Sequence, residues 1–283
     1  MGNNNDYIIE YGSYDDEMIN KVVELFSKSF DWTTKFTFDY IKWQYIDNPN
    51  GKVVSYNAFD GKHILVAHYA AIPIKMIIDG EIVPGLLSLN TATHPEHQGK
   101  RLFTRLASLT YEKAQELGYQ YVIGVANANS THGFLKKLGF KFIAPLDFKV
   151  GVGNIFKKAQ LENKNRVLYD HDTLMWRLRC PAYSYSAKND CIYSKRPEPL
   201  FHSCFAKMPY GETIAGLGLN KTFDLFNIYV GIGLDPKSGL YFNLPKFVKR
   251  SPFNLIFKDL TEGKLSDVSK DNVYFQLIDF DVA

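Results

Sequence analysis

A glycine and several bases stand where an extended segment gives way to a helical pattern, in THPEHQGKRLFTRLA, residues 93 to 107. A free helix start carries partial positive charge and prefers acids, so Lys100, Arg101 and Arg105 are misplaced for helix stability alone. They become favourable once a phosphate occupies the helix start. Gly99 lets the backbone turn so that successive N–H groups point at one anion. The chemistry expected of this turn is the holding of a phosphate. It is neither a P-loop, whose paired glycines lead into Lys and Ser or Thr, nor the three-glycine dinucleotide turn.

The elements around the turn must present it. DDEMINKVVELFSKSF (15–30) repeats Ile19, Val22, Val23, Leu25 and Phe26 at helical spacing behind an acidic first turn. HILVAHYAAIPIKMIIDGEIVPG (63–85) reads as two antiparallel strands turning at Asp79-Gly80, with a third strand over 86–93. Leu102 to Leu117 is helical again and stops at Gly118. YQYVIGVA (119–126) is the apolar run of a buried strand, and a short helix follows, capped by Ser130 and stopped at Gly139. Strand, helix, strand, helix requires a crossover and hence an α/β arrangement.

The composition, 46% hydrophobic and 22% charged over 283 residues, is that of a folded chain with a substantial core. A net charge of +3 with scattered bases argues against nucleic acid as a partner. Cys180, Cys191 and Cys204 lack metal-ligand spacing, so neither a metal site nor a disulfide framework is expected. MGNNNDYIIEYG lacks a signal-peptide pattern and no apolar run reaches membrane-spanning length, so a cytoplasmic protein without membrane partners is expected. Near residue 150 the composition shifts. A polar stretch, GVGNIFKKAQLENKNR, leads into short aromatic and aliphatic segments, so 1–150 and 151–283 are expected to form two parts. FDYIKWQYIDNP (38–49) and DTLMWRLRCPAY (172–183) echo each other in a Trp followed by Pro five or six positions later. Two buried Trp anchors would imply related folds.

Residues 92–141 resemble the core of the GCN5-related N-acetyltransferase (GNAT) superfamily. The turn from His94-Pro95 through Phe103 and the ending Leu138-Gly139-Phe140 carry the likeness. The resemblance implies a mixed sheet flanked by helices, with a second, sheet-rich region as a degenerate copy, as in longer two-part members. It implies acetyl-CoA in a cleft where the fourth and fifth core strands splay apart. Leu89, Asn90, Thr91, Ala92 and Thr93 would bond the pantetheine arm and polarise the thioester carbonyl through their backbone. Gln98 falls on the first motif position. Backbone amides of Gly99, Lys100, Arg101, Leu102 and Phe103 would hold the pyrophosphate, with charge from Lys100 or Arg101. Asn127 or Asn129 would contact the cofactor from the fifth strand's end.

In such a site an amine attacks the thioester directly, a base or water relay takes its proton, and a donor assists the leaving thiolate. Where the family places a tyrosine donor this chain has Leu135, and His94, Glu96, His97 and His132 are the nearby substitutes. His132, one helical turn before Leu135, is the candidate catalytic residue. The expected function is N-acetyl transfer to a small-molecule amine such as an amino sugar. The alternative is a regulatory protein that binds acyl-CoA without turnover.

Overall fold

The computed structural model describes residues 7–30, 35–153, 164–188, 190–195, 201–208, 217–221, 226–233, 240–244 and 252–280. Most of the expected 151–166 link lies outside them. The chain begins with β1 (Ile8–Tyr11), α1 (Asp16–Ser29), α2 (Phe38–Tyr45), β2 (Val54–Phe59), β3 (Leu65–Ile78) and β4 (Glu81–Thr93). After them come α3 (Leu102–Glu116), β5 (Tyr121–Ala126), α4 (Ala128–Lys137) and β6 (Lys141–Pro145). The later part holds β7 (Asp147–Gly151), β8 (Asn165–Val167), α5 (His171–Leu178), β9 (Tyr185–Lys188), β10 (Cys191–Lys195) and β11 (Phe201–Lys207). It continues with β12 (Asn220–Lys221), β13 (Phe226–Ile232), β14 (Tyr241–Asn243), β15 (Asn254–Asp259) and β16 (Val273–Gln276). No helix among the described residues is long and apolar enough to cross a membrane.

Local chemistry accounts for the elements that frame the cleft. The Asp15 carboxylate accepts the Met18 N–H to cap α1, which buries Ile19, Val22, Leu25 and Phe26. Asp79 (φ 52°) and Gly80 (φ 87°) make the two-residue turn between β3 and β4. The strand expected over 86–93 is continuous with the one before it, as the 13-residue β4. Pro84 does not interrupt it because the pairing of β4 with β5 begins only at Leu86, and the Pro84 carbonyl accepts the Gln120 N–H. Gly85 makes room for the Tyr121 ring, which a Cβ there would meet at 2.3 Å.

The first sheet runs β1-β2-β3-β4-β5-β15-β6, antiparallel except for the parallel pair β4–β5. One face packs on α1, α2 and α5, the other on α3 and α4. From α5 onward the chain repeats the succession: β9, β10 and β11 pair antiparallel in turn, and β11 pairs with β13 in parallel. Each half then lends the other a strand. β7, which follows β6, lies between β13 and β14. β15, which follows β14, lies between β5 and β6. The chain is therefore of mixed α/β type, with the expected sheet-rich second region present.

The Trp echo is the seam between the halves. Trp43 and Trp176 stack with ring centroids 4.8 Å apart and planes 19° from parallel. The Trp43 indole N–H donates to the Trp176 carbonyl at 2.8 Å, and the Trp176 indole N–H to the Trp43 carbonyl at 2.9 Å. Such reciprocity, in which i bonds to j and j to i, is the mark of a two-fold relation, here within one chain. The helix caps obey it as well. Thr37 accepts the Tyr40 N–H before α2, and Asp170 accepts the Thr173 N–H before α5. The Arg177 guanidinium, 2% exposed, lies 5.0 Å from the Trp176 ring and 5.7 Å from the Trp43 ring. Deleting either indole removes a large buried ring and leaves a carbonyl without its donor. Trp43→Ala and Trp176→Ala should each cost about 3–5 kcal/mol in urea unfolding. The double variant should lose about 1 kcal/mol or more less than their sum. Strictly additive losses would mean that the two rings do not support each other.

Candidate functional site

β4 and β5 pair only at Leu86–Ser88 and Val122–Gly124, although β4 runs on to Thr93 and β5 to Ala126. A bulge coincides with the end of pairing. Ala70 stands opposite Leu89 and His68 opposite Ala92, so that Asn90 and Thr91 together face Tyr69. Asn90 takes up the strain at φ 49°. The stretch Leu89–Thr93 therefore occupies the open end of the strand pair, with Ala92 buried and the other four residues half-buried.

β4 leads through a 3-10 turn (Pro95–His97) into α3. Gly99 (φ 75°) and Arg101 (φ 62°) are both left-handed, and α3 starts with no side-chain cap and no acid in its first turn. The leading amides of the helix are thus left for an external acceptor. Gln98, Gly99, Lys100 and Arg101 are exposed. Leu102 is buried, and Phe103 packs on Phe134 at 5.3 Å between centroids, so these two offer only backbone. Lys100 donates to the Tyr7 hydroxyl at 2.8 Å. A Cβ at Gly99 would meet no atom within 4 Å, so the space over the turn is open.

β5 leads into α4. Asn127, rather than Ser130, is its cap: Asn127 Oδ1 accepts the Ser130 N–H at 2.9 Å and Ser130 Oγ accepts the Asn127 N–H at 3.1 Å. The side chain of Asn127 is therefore engaged locally, while Asn129 is exposed. Phe134 and Leu138 point inward, Leu135 packs partly buried on the same core, and His132 lies on the exposed face. The exchanged strand β15 fixes this helix. Asn254 donates to Thr131 Oγ1 at 2.9 Å, and Lys258 donates to the Leu138 carbonyl at 2.8 Å.

A buried polar chain that sequence reasoning missed reaches the bulge from the α2 side. His68 Nδ1 lies 2.6 Å from Asn57 Oδ1, and His68 Nε2 lies 2.8 Å from the Tyr45 hydroxyl. The Asn90 amide donates to both the Tyr45 hydroxyl and Gln44 Oε1. One assignment satisfies every group: Asn90 N–H to Tyr45, Tyr45 O–H to His68 Nε2, and His68 Nδ1–H to Asn57. Both Asn90 N–H groups are then committed, and its Oδ1 remains as an acceptor at the open strand end. Gln44, Tyr45, Asn57 and His68 are all buried. The signal in the sequence was a single histidine inside the apolar run LVAHYAAI.

Burial pushes the His68 imidazole down to about 3, so it stays neutral in the fold. Unfolded, it titrates near its ordinary 6.5. Its contribution to stability is therefore whole above pH 6.5 and is lost as pH falls through about 3, at up to about 1.4 kcal/mol per pH unit. Asp279, raised to about 7 by burial, works in the opposite sense and is common to both proteins in the comparison. Between pH 7 and 5, wild type should lose about 2 kcal/mol more than His68→Gln in urea unfolding. Equal losses would overturn the account of a neutral buried imidazole.

Residues 10–143 match the family model described as the acetyltransferase (GNAT) domain. No curated protein sequence matches the chain. Among solved structures, a GCN5-related N-acetyltransferase from Anabaena variabilis is similar at a TM-score of 0.63 and 10% identity, over 90% of this chain and 74% of that one. A GCN5-related N-acetyltransferase from Kribbella flavida gives 0.60 and 9%, over 90% and 73%. At these identities the likeness is one of fold, and it takes in both halves. The family match falls on the unit that holds the splayed strands, the bulge and the uncapped helix, and the first half of this chain is accordingly a domain of the GCN5-related N-acetyltransferase superfamily.

Proposed function

We propose that this protein is an acyl-CoA-dependent N-acyltransferase of the cytoplasm, moving acetyl from acetyl-CoA to the amine of a small molecule such as an amino sugar. The observation that carries this reading is the uncapped start of α3 behind left-handed Gly99 and Arg101, beside the open end of β4 and β5. A pyrophosphate suits these residues: free amides point outward, the space over Gly99 is open, and bases replace the usual acids of a helix start. Bound there, acetyl-CoA supplies a thioester activated for acyl transfer.

The chain's own groups then have distinct tasks. Amides from Gly99 to Phe103 bind the pyrophosphate, with Lys100 or Arg101 adding charge. The backbone of Leu89–Thr93 holds the pantetheine arm and polarises the carbonyl. Asn90 Oδ1, its amide turned by Gln44 and Tyr45, accepts an N–H of the incoming amine and orients it. His132, exposed one turn before Leu135, is the proposed proton donor to the leaving thiolate. Leu135 also favours a second reading, in which acyl-CoA is bound but not turned over.

Calorimetry with acetyl-CoA tests the cofactor assignment. Gly99→Trp should weaken binding by about tenfold or more, equivalent to ~1.4 kcal/mol, while the fold persists because the site is exposed. Equal affinity in a folded Gly99→Trp variant would reject this placement. For catalysis, the pH profile of thiol release with an amine panel that includes amino sugars should shift in His132→Ala, with turnover down by roughly 10²-fold. Identical profiles and rates would remove His132 from the mechanism. Tight cofactor binding with no turnover on any amine would select the regulatory reading.

A further inference from the structure

We propose that His94, Glu96 and His97 form a binding site for a divalent transition-metal cation, Zn2+ foremost, on the turn between β4 and α3. Each residue offers one ligand atom, and all three atoms lie within 4.8 Å of one another. The turn itself produces this grouping. The His97 N–H donates to the His94 carbonyl at 2.8 Å, closing a 3-10 turn in which side chains three apart eclipse. Pro95 fixes the backbone between them. The two imidazole centroids stand 5.6 Å apart.

Metal–ligand bonds near 2.1 Å in a tetrahedral site place ligand atoms roughly 3.4 Å apart. Modest inward rotation of the exposed Glu96 and of the half-buried His94 ring closes the difference. Two imidazoles and one carboxylate suit zinc, with water in the fourth place, and suit magnesium or calcium poorly. An outer shell is already built. The Tyr7 hydroxyl lies 2.8 Å from His97 Nδ1, fixing that ring and leaving Nε2 for a metal. Tyr7 is held in turn by Lys100 at 2.8 Å, and its oxygen has a lone pair for each of the two N–H donors. The site stands whether or not the turn beside it binds acyl-CoA.

The test is calorimetric titration of ZnCl2 into tag-free, chelator-treated, dialysed protein, with Co2+ absorption as a second readout. One equivalent should bind with a dissociation constant of roughly 1 µM. His94→Ala and His97→Ala should each weaken binding at least tenfold, and Tyr7→Phe, which only supports a ligand, by about tenfold. Co2+ should give the intense visible bands of a tetrahedral complex in wild type and lose them in the variants. Should an alanine variant fail to fold, Glu96→Gln, at an exposed position, reports on the same site. Zinc binding that is absent in wild type, or equal in wild type and the folded His94→Ala/His97→Ala variant, would overturn the proposal.

Discussion

A strand left with an open edge needs a partner, and in this protein that need ties the halves together. β5 is paired with β4 on one side over only three residues, and its other edge is filled by β15 over its whole length. Val125 is thereby opposite Leu255, 130 positions further on. The same strand anchors α4 at both ends, through Asn254 and Lys258. One wall of the cleft is consequently built from the first half and held by the second. The stacked tryptophans do for the helical layer what the exchanged strands do for the sheets.

The cleft itself is a place where backbone rules are locally relaxed. Parallel pairing stops, a bulge turns Asn90 into a left-handed conformation, and a helix begins without a cap. Each of these would be a defect in a closed fold, because buried or aligned polar groups demand partners. Here they cluster within about a dozen residues. The buried chain from Asn57 through His68 and Tyr45 supports the most strained of them, because two donors of Asn90 are satisfied from the core side. Strain at the bulge is thus compensated by hydrogen bonds that no water competes for.

The parts of this arrangement that are local in sequence were legible there. Asp79-Gly80 announces its turn, the glycine and bases of residues 99–105 announce the start of α3, and the repeated Trp-to-Pro spacing announces two buried tryptophans. What depends on distant pairing was not. Nothing in NLIFKD distinguishes a strand of its own half from one lent to the other. Ser130 looked like a cap because caps are read from residue type, whereas Asn127 wins by offering its carboxamide oxygen one turn earlier. Residues 86–93 read as a strand of their own, yet β4 runs through Pro84 unbroken, because a proline is costly only where its missing N–H is wanted and at this position β5 has not yet begun. The roles of Tyr45 and Asn57 follow from meeting His68, which composition cannot reveal.

The exchange of β7 and β15 also bears on how the chain reaches its shape. During synthesis the first half emerges complete in helices yet lacks the strand that separates β5 from β6. Until residues 254–259 have been made, the edges of β5 and β6 stand without their native partner, and those edges are the ones that invite mispairing with a neighbouring chain. Contacts that close over more than a hundred residues raise the contact order and slow folding. The nascent protein therefore passes through a stage in which its first unit is sticky and unfinished, and completion of the cleft is a late event of whole-chain assembly.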